Sequence, residues 1–248
     1  MIISTHAIVL KTIKYSDSSL ICRLFTKDHG KIIVMAKGAW RPKNTSGAIL
    51  EPMNHIYLEY YHKKNRDIQI LKNVSLNNSL HIVRSHLSKI VLGQIIIESL
   101  DKTTLQNNPM PILYRLTWKV LNKINENNVN FWIAFSFYLY HLAVRLGFMP
   151  NTNSCRNCQT KLQDANIDLV FGELVCNNCV GQNKLIINNK SLQLLQNITM
   201  IHLDEIENEM SLSNEMVSII KFLKIFNSMH LVGMNKVRSL HLMEKILL

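Results

Sequence analysis

Five short runs of β-forming residues crowd the first 75 positions, and that density leaves the chain few folds. They are "HAIVLKTI" (6–13), "SLICRLFT" (19–26), "KIIVMAKG" (31–38), "NHIYLEYYH" (54–62) and "RDIQILKNV" (66–74). Turn-forming stretches separate them: "YSDSS", "KDHG", "RPKNTSG" and "KKNRD". Gly30 in "KDHGK" supplies the positive φ that a tight connection needs. Ile56, Leu58 and Tyr60 alternate with Tyr57, Glu59 and Tyr61, the pattern of a strand with one face buried. Five such strands left open would expose long edges, so closure into a small barrel is expected. An OB-type barrel fits the count, and an SH3-like barrel fits the pattern nearly as well.

After residue 77 the hydrophobic period changes from two to between three and four. Leu80, Val83, Leu87, Val91 and Ile95 predict one amphipathic helix ending near Leu100. Pro109 and Pro111 break it and open a second helix over 111–125. The apolar run 131–146 is a third, with Gly147 placed for its C-terminal cap and Pro150 preventing continuation. Its most apolar stretch, 131–144, is short of the roughly 20 residues a bilayer requires, so it reads as a core helix. Helical patterns return at 190–198, 213–230 and the C-terminal "SLHLMEKILL". The acidic run "LDEIENE" (203–209) reads as a solvated loop or helix end.

Between the helical patterns, Cys155, Cys158, Cys176 and Cys179 spell C-x2-C-x17-C-x2-C. Each pair places two thiolates across a tight turn, and two such turns supply the four tetrahedral ligands zinc prefers. The spacer contains "DLVFGEL", a strand and a turn glycine, as a zinc ribbon would. A thioredoxin-like redox pair would need a βαβ context that the pattern lacks. A disulfide needs an oxidising compartment, whereas the chain shows no signal-peptide pattern and is expected in the cytoplasm. Four cysteine ligands leave no open position for water, so the zinc is expected to be structural. Cys22, inside a β run, reads as a small buried hydrophobe. The division expected is 1–77, 78–150, 151–185 for the cysteine insert, and 186–248.

Charge points to polyanions. The chain carries a formal +11, and residues 1–80 hold 12 Lys+Arg against 5 Asp+Glu. In "AKGAWRPKNTSG" (36–47), Lys37, Arg41 and Lys43 surround Trp40. Cations there would bind phosphate, and an exposed indole would stack on a splayed base; the competing reading has Trp40 plugging the barrel end. "HKKNR" adds Lys63, Lys64 and Arg66 in a second loop, and Lys11, Lys14 and Arg23 extend the basic surface. Lys236, Arg238 and His241 near the C-terminus are a weaker contact candidate. No P-loop, G-x-G-x-x-G, G-x-S-x-G or H-E-x-x-H pattern occurs, so no catalytic residue is expected.

With these residues in view, the chain resembles the bacterial RecO family of recombination-repair mediators along essentially its whole length. The resemblance is carried by "HAIVLKTIKYSDSSLICRLFTKDHGKIIVMAKGAW", "RLGFMPNTNSCRNC", "CNNC" and "KVRSL" in that order. It implies an OB-fold barrel followed by an α-helical domain with an inserted four-cysteine zinc module. It implies binding of single- and double-stranded DNA, annealing of complementary strands, and loading of RecA onto SSB-coated strands. The partners it implies are RecR and the SSB C-terminal tail. The alternatives from the residues alone are a zinc-dependent nucleic-acid hydrolase and a scaffold that binds acidic protein tails.

Overall fold

The computed structural model describes residues 1–42, 44–181, 184–206 and 212–246. Lys43 and Glu207–Glu209 of the acidic run lie outside the described residues. The chain divides into two compact units, Met1–Leu121 and Asn122–Leu248.

In the first unit, β1 (Ile2–Tyr15), β2 (Ser19–Thr26), β3 (Gly30–Ala36), β4 (His55–Tyr61) and β5 (Ile68–Asn78) close into a barrel of order β1-β2-β3-β5-β4. The β3–β5 pairing is parallel and every other pairing is antiparallel, with β1 pairing both β2 and β4. This is the OB arrangement. The first strand is longer than its hydrophobic run predicts, because residues 2–6 pair with β4 before the strand shifts register between Val9 and Lys11 and continues along β2. Ala7, Val9, Cys22, Leu24, Val34, Ile56 and Leu58 fill the interior. Burial pushes the Cys22 thiol up to about 11. A one-turn helix, α1 (Ser46–Ile49), lies between β3 and β4, where the sequence shows only turn signals.

Helices α2 (His81–Ser85), α3 (Leu87–Thr103) and α4 (Pro111–Ile124) follow. The single helix expected over 80–100 is two, because His86 takes an extended conformation between them. Nor is α3 amphipathic in the ordinary sense. Val91, Leu92, Ile95, Ile96, Ile97 and Leu100 cover most of its circumference and are all buried. One buried carboxylate ties it to the barrel. Asp101, at the end of α3, meets Arg23 of β2 at 2.9 Å and Lys31 of β3 at 3.7 Å, and Lys31 Nζ also donates to the Asp101 carbonyl.

The second unit holds α5 (Phe131–Arg145), a sheet of β6 (Ala165–Asp168), β7 (Glu173–Val175) and β8 (Lys184–Ile187), then α6 (Asn189–Met200), α7 (Asn214–His230) and α8 (Arg238–Ile246). Helix α5 starts where the Asn130 side chain accepts from the N–H groups of Trp132 and Ile133, and it ends before Gly147 at φ +94°. No helix among the described residues is long and apolar enough to cross a membrane. The insert carries one strand more than its spacer suggests, since β8 pairs with β6. Both ends of the insert rest on α6: Gln196 Nε2 donates to the Thr152 carbonyl, Asn189 Nδ2 to that of Gln163, and β8 runs through Asn188 into the helix.

Two half-buried histidines make the fold acid-sensitive. His55 stacks on Trp118 at 4.0 Å and pairs with the Tyr114 hydroxyl at 2.8 Å, while His141 lies against Phe137 at 4.1 Å. Burial, then the neighbouring His6 for His55 and Arg145 for His141, lowers each from 6.5 to about 4. Between those limits the unfolded chain binds the additional protons, so stability falls as pH drops from about 6.5 toward 4 and is fully present above that window. Urea unfolding midpoints on either side of the window should show the loss, and replacement of both histidines by glutamine should reduce it.

Candidate nucleic-acid interface and metal centre

At the end of β3 the chain turns through Gly38 at φ +69°, into a loop anchored from two sides. Trp40 N–H donates to the Ser18 carbonyl in the β1–β2 turn at 2.9 Å, and the Asn44 side chain donates to the Gly38 carbonyl at 2.9 Å. Gly47 of α1 lies so close that a Cβ there would approach the Ala39 carbonyl to 2.9 Å. These ties set Trp40 on the surface, 51% exposed, instead of inside the barrel. Lys14 of β1 holds its ammonium 4.0 Å from the indole centroid, a cation–π pair. Lys37 and Arg41 are exposed on either side. Beneath the loop is a groove of about 480 Å³, lined by Trp40, Pro42, Pro52, Leu20, Leu50 and Thr12. An indole, a groove and three cations thus occupy one end of the barrel.

The other predicted contacts are elsewhere. Lys63 and Lys64 are exposed and Arg66 is half-buried in the β4–β5 connection. Since β3 and β5 run parallel with Ile33 beside Ile68, that connection enters the sheet beside the middle of β3, whereas the Trp40 loop leaves from its end. Lys11 is exposed on β1 opposite Arg23, whose guanidinium is committed to Asp101. The sequence did not reveal the Lys14–Trp40 pairing, because it depends on the register in which β2 pairs with β1 and β3, with Leu20 between Lys14 and Ala36.

In the second unit the four cysteines converge. Their sulfur atoms all lie within 4.8 Å of one another, and Cys158 Sγ is 3.6 Å from Cys176 Sγ. Tetrahedral zinc with bonds of about 2.3 Å places its sulfurs about 3.8 Å apart, so the donor set fits such an ion. The Cys155–Cys158 turn closes with Gln159 at φ +60°, its N–H donating to the Cys155 carbonyl at 2.9 Å. Burial alone would raise the Cys155 thiol, but backbone N–H groups of Cys158, Cys176 and Asn157 aimed at its sulfur bring it below the ordinary range. The Thr160 hydroxyl and N–H, then Cys155, draw Cys158 down to about 6. Cys179, crowded by Cys158 and Cys176, is pushed up to about 12. Four thiols at this spacing cannot all ionise without a cation among them. Arg156 braces the knuckle, 3.1 Å from Glu173 and over the Phe171 ring at 3.8 Å.

A closed five-stranded OB barrel with a basic, aromatic loop, followed by helices carrying a cluster of four cysteines that could hold a metal ion, defines the class of protein. The family profile described as "Recombination protein O N terminal" matches residues 1–80, and "Recombination protein O C terminal" matches 84–233. The chain belongs to the recombination protein O (RecO) family. It is 36% identical to the DNA repair protein RecO of Salinibacter ruber over 155 residues, 62% of this chain and 60% of that protein. It is 28% identical to the DNA repair protein RecO of Bacillus pumilus over 183 residues, 74% and 70% of the two chains, and 26% identical to that of Bacillus subtilis over 179 residues, 72% and 69%.

Proposed function

We propose that this chain is a DNA repair and recombination mediator that binds single- and double-stranded DNA and anneals complementary strands. The observation that carries the reading is the exposed Trp40, paired with Lys14 and flanked by Lys37 and Arg41, at the mouth of a groove on an OB barrel. Cations neutralise phosphates, and a base can stack at the indole or enter the groove. Annealing then needs no covalent step, only two strands with screened phosphates and free bases. Residues 1–77 are the nucleic-acid-binding part, with Lys37, Trp40, Arg41, Lys43 and Lys14 at its centre and Lys11, Lys63, Lys64 and Arg66 around it. The helical segments 78–150 and 186–248 carry the 151–185 module, in which Cys155, Cys158, Cys176 and Cys179 would hold one structural zinc ion. Membership of the family supports RecR and the acidic SSB tail as partners, RecA loading as the outcome, and a cytoplasmic, nucleoid-associated setting.

A salt titration of single-strand binding tests this. The log–log slope should be roughly −0.7 per phosphate contact, and the Lys37→Ala, Arg41→Ala double variant should flatten it by about 1.4. Annealing with and without SSB should weaken in parallel. An unchanged slope would move the DNA face elsewhere on the molecule, and metal-dependent strand cleavage would favour the hydrolase instead.

A further inference from the structure

The outward face of β1 and β4 has an organisation that the Trp40 loop does not use. Ile56, Leu58 and Tyr60 of β4 point inward and are fully buried, while Tyr57 and Tyr61 point outward and are 38% and 45% exposed. Register places His6 of β1 opposite Tyr57, and their rings meet edge to face at 5.2 Å. His6 also stacks with His55 at 5.6 Å, and His55 with Trp118 at 4.0 Å. Four rings therefore run continuously from the open sheet to α4, which holds the Tyr57 end of the face rigid. On the β5 side the neighbours of Tyr57 and Glu59 are Ser75 and Asn73, small polar residues that leave the outer tyrosine ring uncovered.

The cations follow directly after Tyr61. Lys63 and Lys64 are held at the end of β4 by the buried Gln69 side chain, which accepts from the Lys63 N–H at 2.9 Å and donates to the Lys63 carbonyl at 3.1 Å. Arg66 completes the loop. Acids near this face are Glu59, paired with Lys72 at 3.2 Å, Asp67 at the foot of the loop, and Asp28, which accepts from the Thr5 hydroxyl of β1 at 2.9 Å. The surface is thus net positive, polar between its rings and aromatic at intervals. Tyr57 and Tyr61 are four strand residues apart, about 13 Å, a length that about four bases cover at a stacked rise of about 3.4 Å.

We infer that the outward face of β1 and β4, together with the 62–67 loop, is a second track for a single nucleic-acid strand, separate from the Trp40 loop. The inference rests on the DNA-binding reading above and sharpens it. The 62–67 loop leads into β5, whose first residue Ile68 pairs with Ile33 in the middle of β3, whereas the Trp40 loop follows Ala36 at the end of β3. They are two sites on one barrel. Stacking on tyrosine is tolerant of sequence because every base presents a flat face. A barrel that holds one strand at Trp40 and another along Tyr57 and Tyr61 brings two strands together with their pairing edges free.

The test is photo-cross-linking of the full chain to an iodouridine-substituted single strand, with peptides mapped by mass spectrometry. Cross-links are expected at Tyr57 or Tyr61 as well as at Trp40. The Tyr57→Ala, Tyr61→Ala variant should lose about tenfold in single-strand affinity with the salt slope unchanged, since stacking and not charge has been removed; Tyr57→Phe, Tyr61→Phe should restore it. Cross-links confined to the Trp40 loop, with the alanine variant binding as tightly as wild type, would overturn the second track and leave the first standing. The same result accompanied by weaker binding of a partner protein would also overturn it, making this a protein surface. If wild type binds no strand at all, the DNA-binding reading itself fails. Cross-linking on unaltered protein decides the matter even if the alanine variant is poorly folded.

Discussion

Cys176→Ser is expected to release the segment 151–187 while leaving the barrel intact. The serine hydroxyl is a poor ligand for a soft thiolate site, so the remaining three sulfurs bind metal far more weakly. The module has little else to hold it. Its sheet is three strands of four, three and four residues, and its knuckles are single turns. The loss should be on the order of 4 kcal/mol, in the range reserved for removal of a metal or a similar constraint. Hydrogen exchange should show protection falling across β6, β7 and β8, and at the end of α7, where Met229 lies against Gly172. Protection in β1–β5 should be unchanged. A chelator should produce the same pattern in wild type, and cobalt substitution should give the charge-transfer bands of a thiolate site. Intact protection with DNA binding alone abolished would place the module on the binding face.

Asp101→Ala is expected to cost a comparable amount by a different route. The carboxylate is 5% exposed and faces two cations, Arg23 and Lys31. Removing it leaves Arg23 without its ionic partner and Lys31 with only the residue-101 carbonyl at the end of α3. Loss of one member of a buried pair costs about 3–5 kcal/mol, and the lower end applies here because Arg23 is 28% exposed. The pH dependence identifies the cause. Burial already holds Lys31 below the ordinary lysine range, and Asp101 opposes that fall. Without Asp101 the folded-state pKa of Lys31 drops further below its unfolded value. The unfolded chain then binds more protons over that interval, and the stability of the variant should rise with pH through it, more steeply than in wild type. Urea denaturation across the alkaline range measures both effects. A variant that is equally destabilised at every pH would point to lost packing instead.

Much of this architecture was legible before any coordinates. Alternation in "IYLEYY" told which β4 side chains point inward, and the cysteine spacing told that four sulfurs would meet. Both signals are local: a strand's period and a knuckle's span are properties of a few consecutive residues. What escaped was set at long range. The break at His86 interrupts a hydrophobic spacing that continues through it, so the pattern gave no warning. Helix α3 looks amphipathic in the sequence, yet Asp101 is buried because Arg23 and Lys31 of the barrel, partners that only the fold supplies, pair with it. Strand β8 pairs with β6 sixteen or more residues away, and the Lys14–Trp40 contact depends on β2 pairing with both β1 and β3. Exposed tyrosines on β4 were visible as the polar half of an alternation, yet the packing of Tyr57 on His6, and through it on His55 and Trp118, required β1 and α4 to be in place.

The way the insert is attached has an evolutionary consequence. Thr152 and Gln163 are tied to α6, and β8 feeds into that helix without an intervening turn, so the module leaves and rejoins the chain at one support. Such a segment is a cassette. Its cysteines can be exchanged for apolar packing, or its hairpin shortened, without re-routing α5, α6 or α7. Natural selection can therefore change the four cysteines without disturbing the helices that carry them.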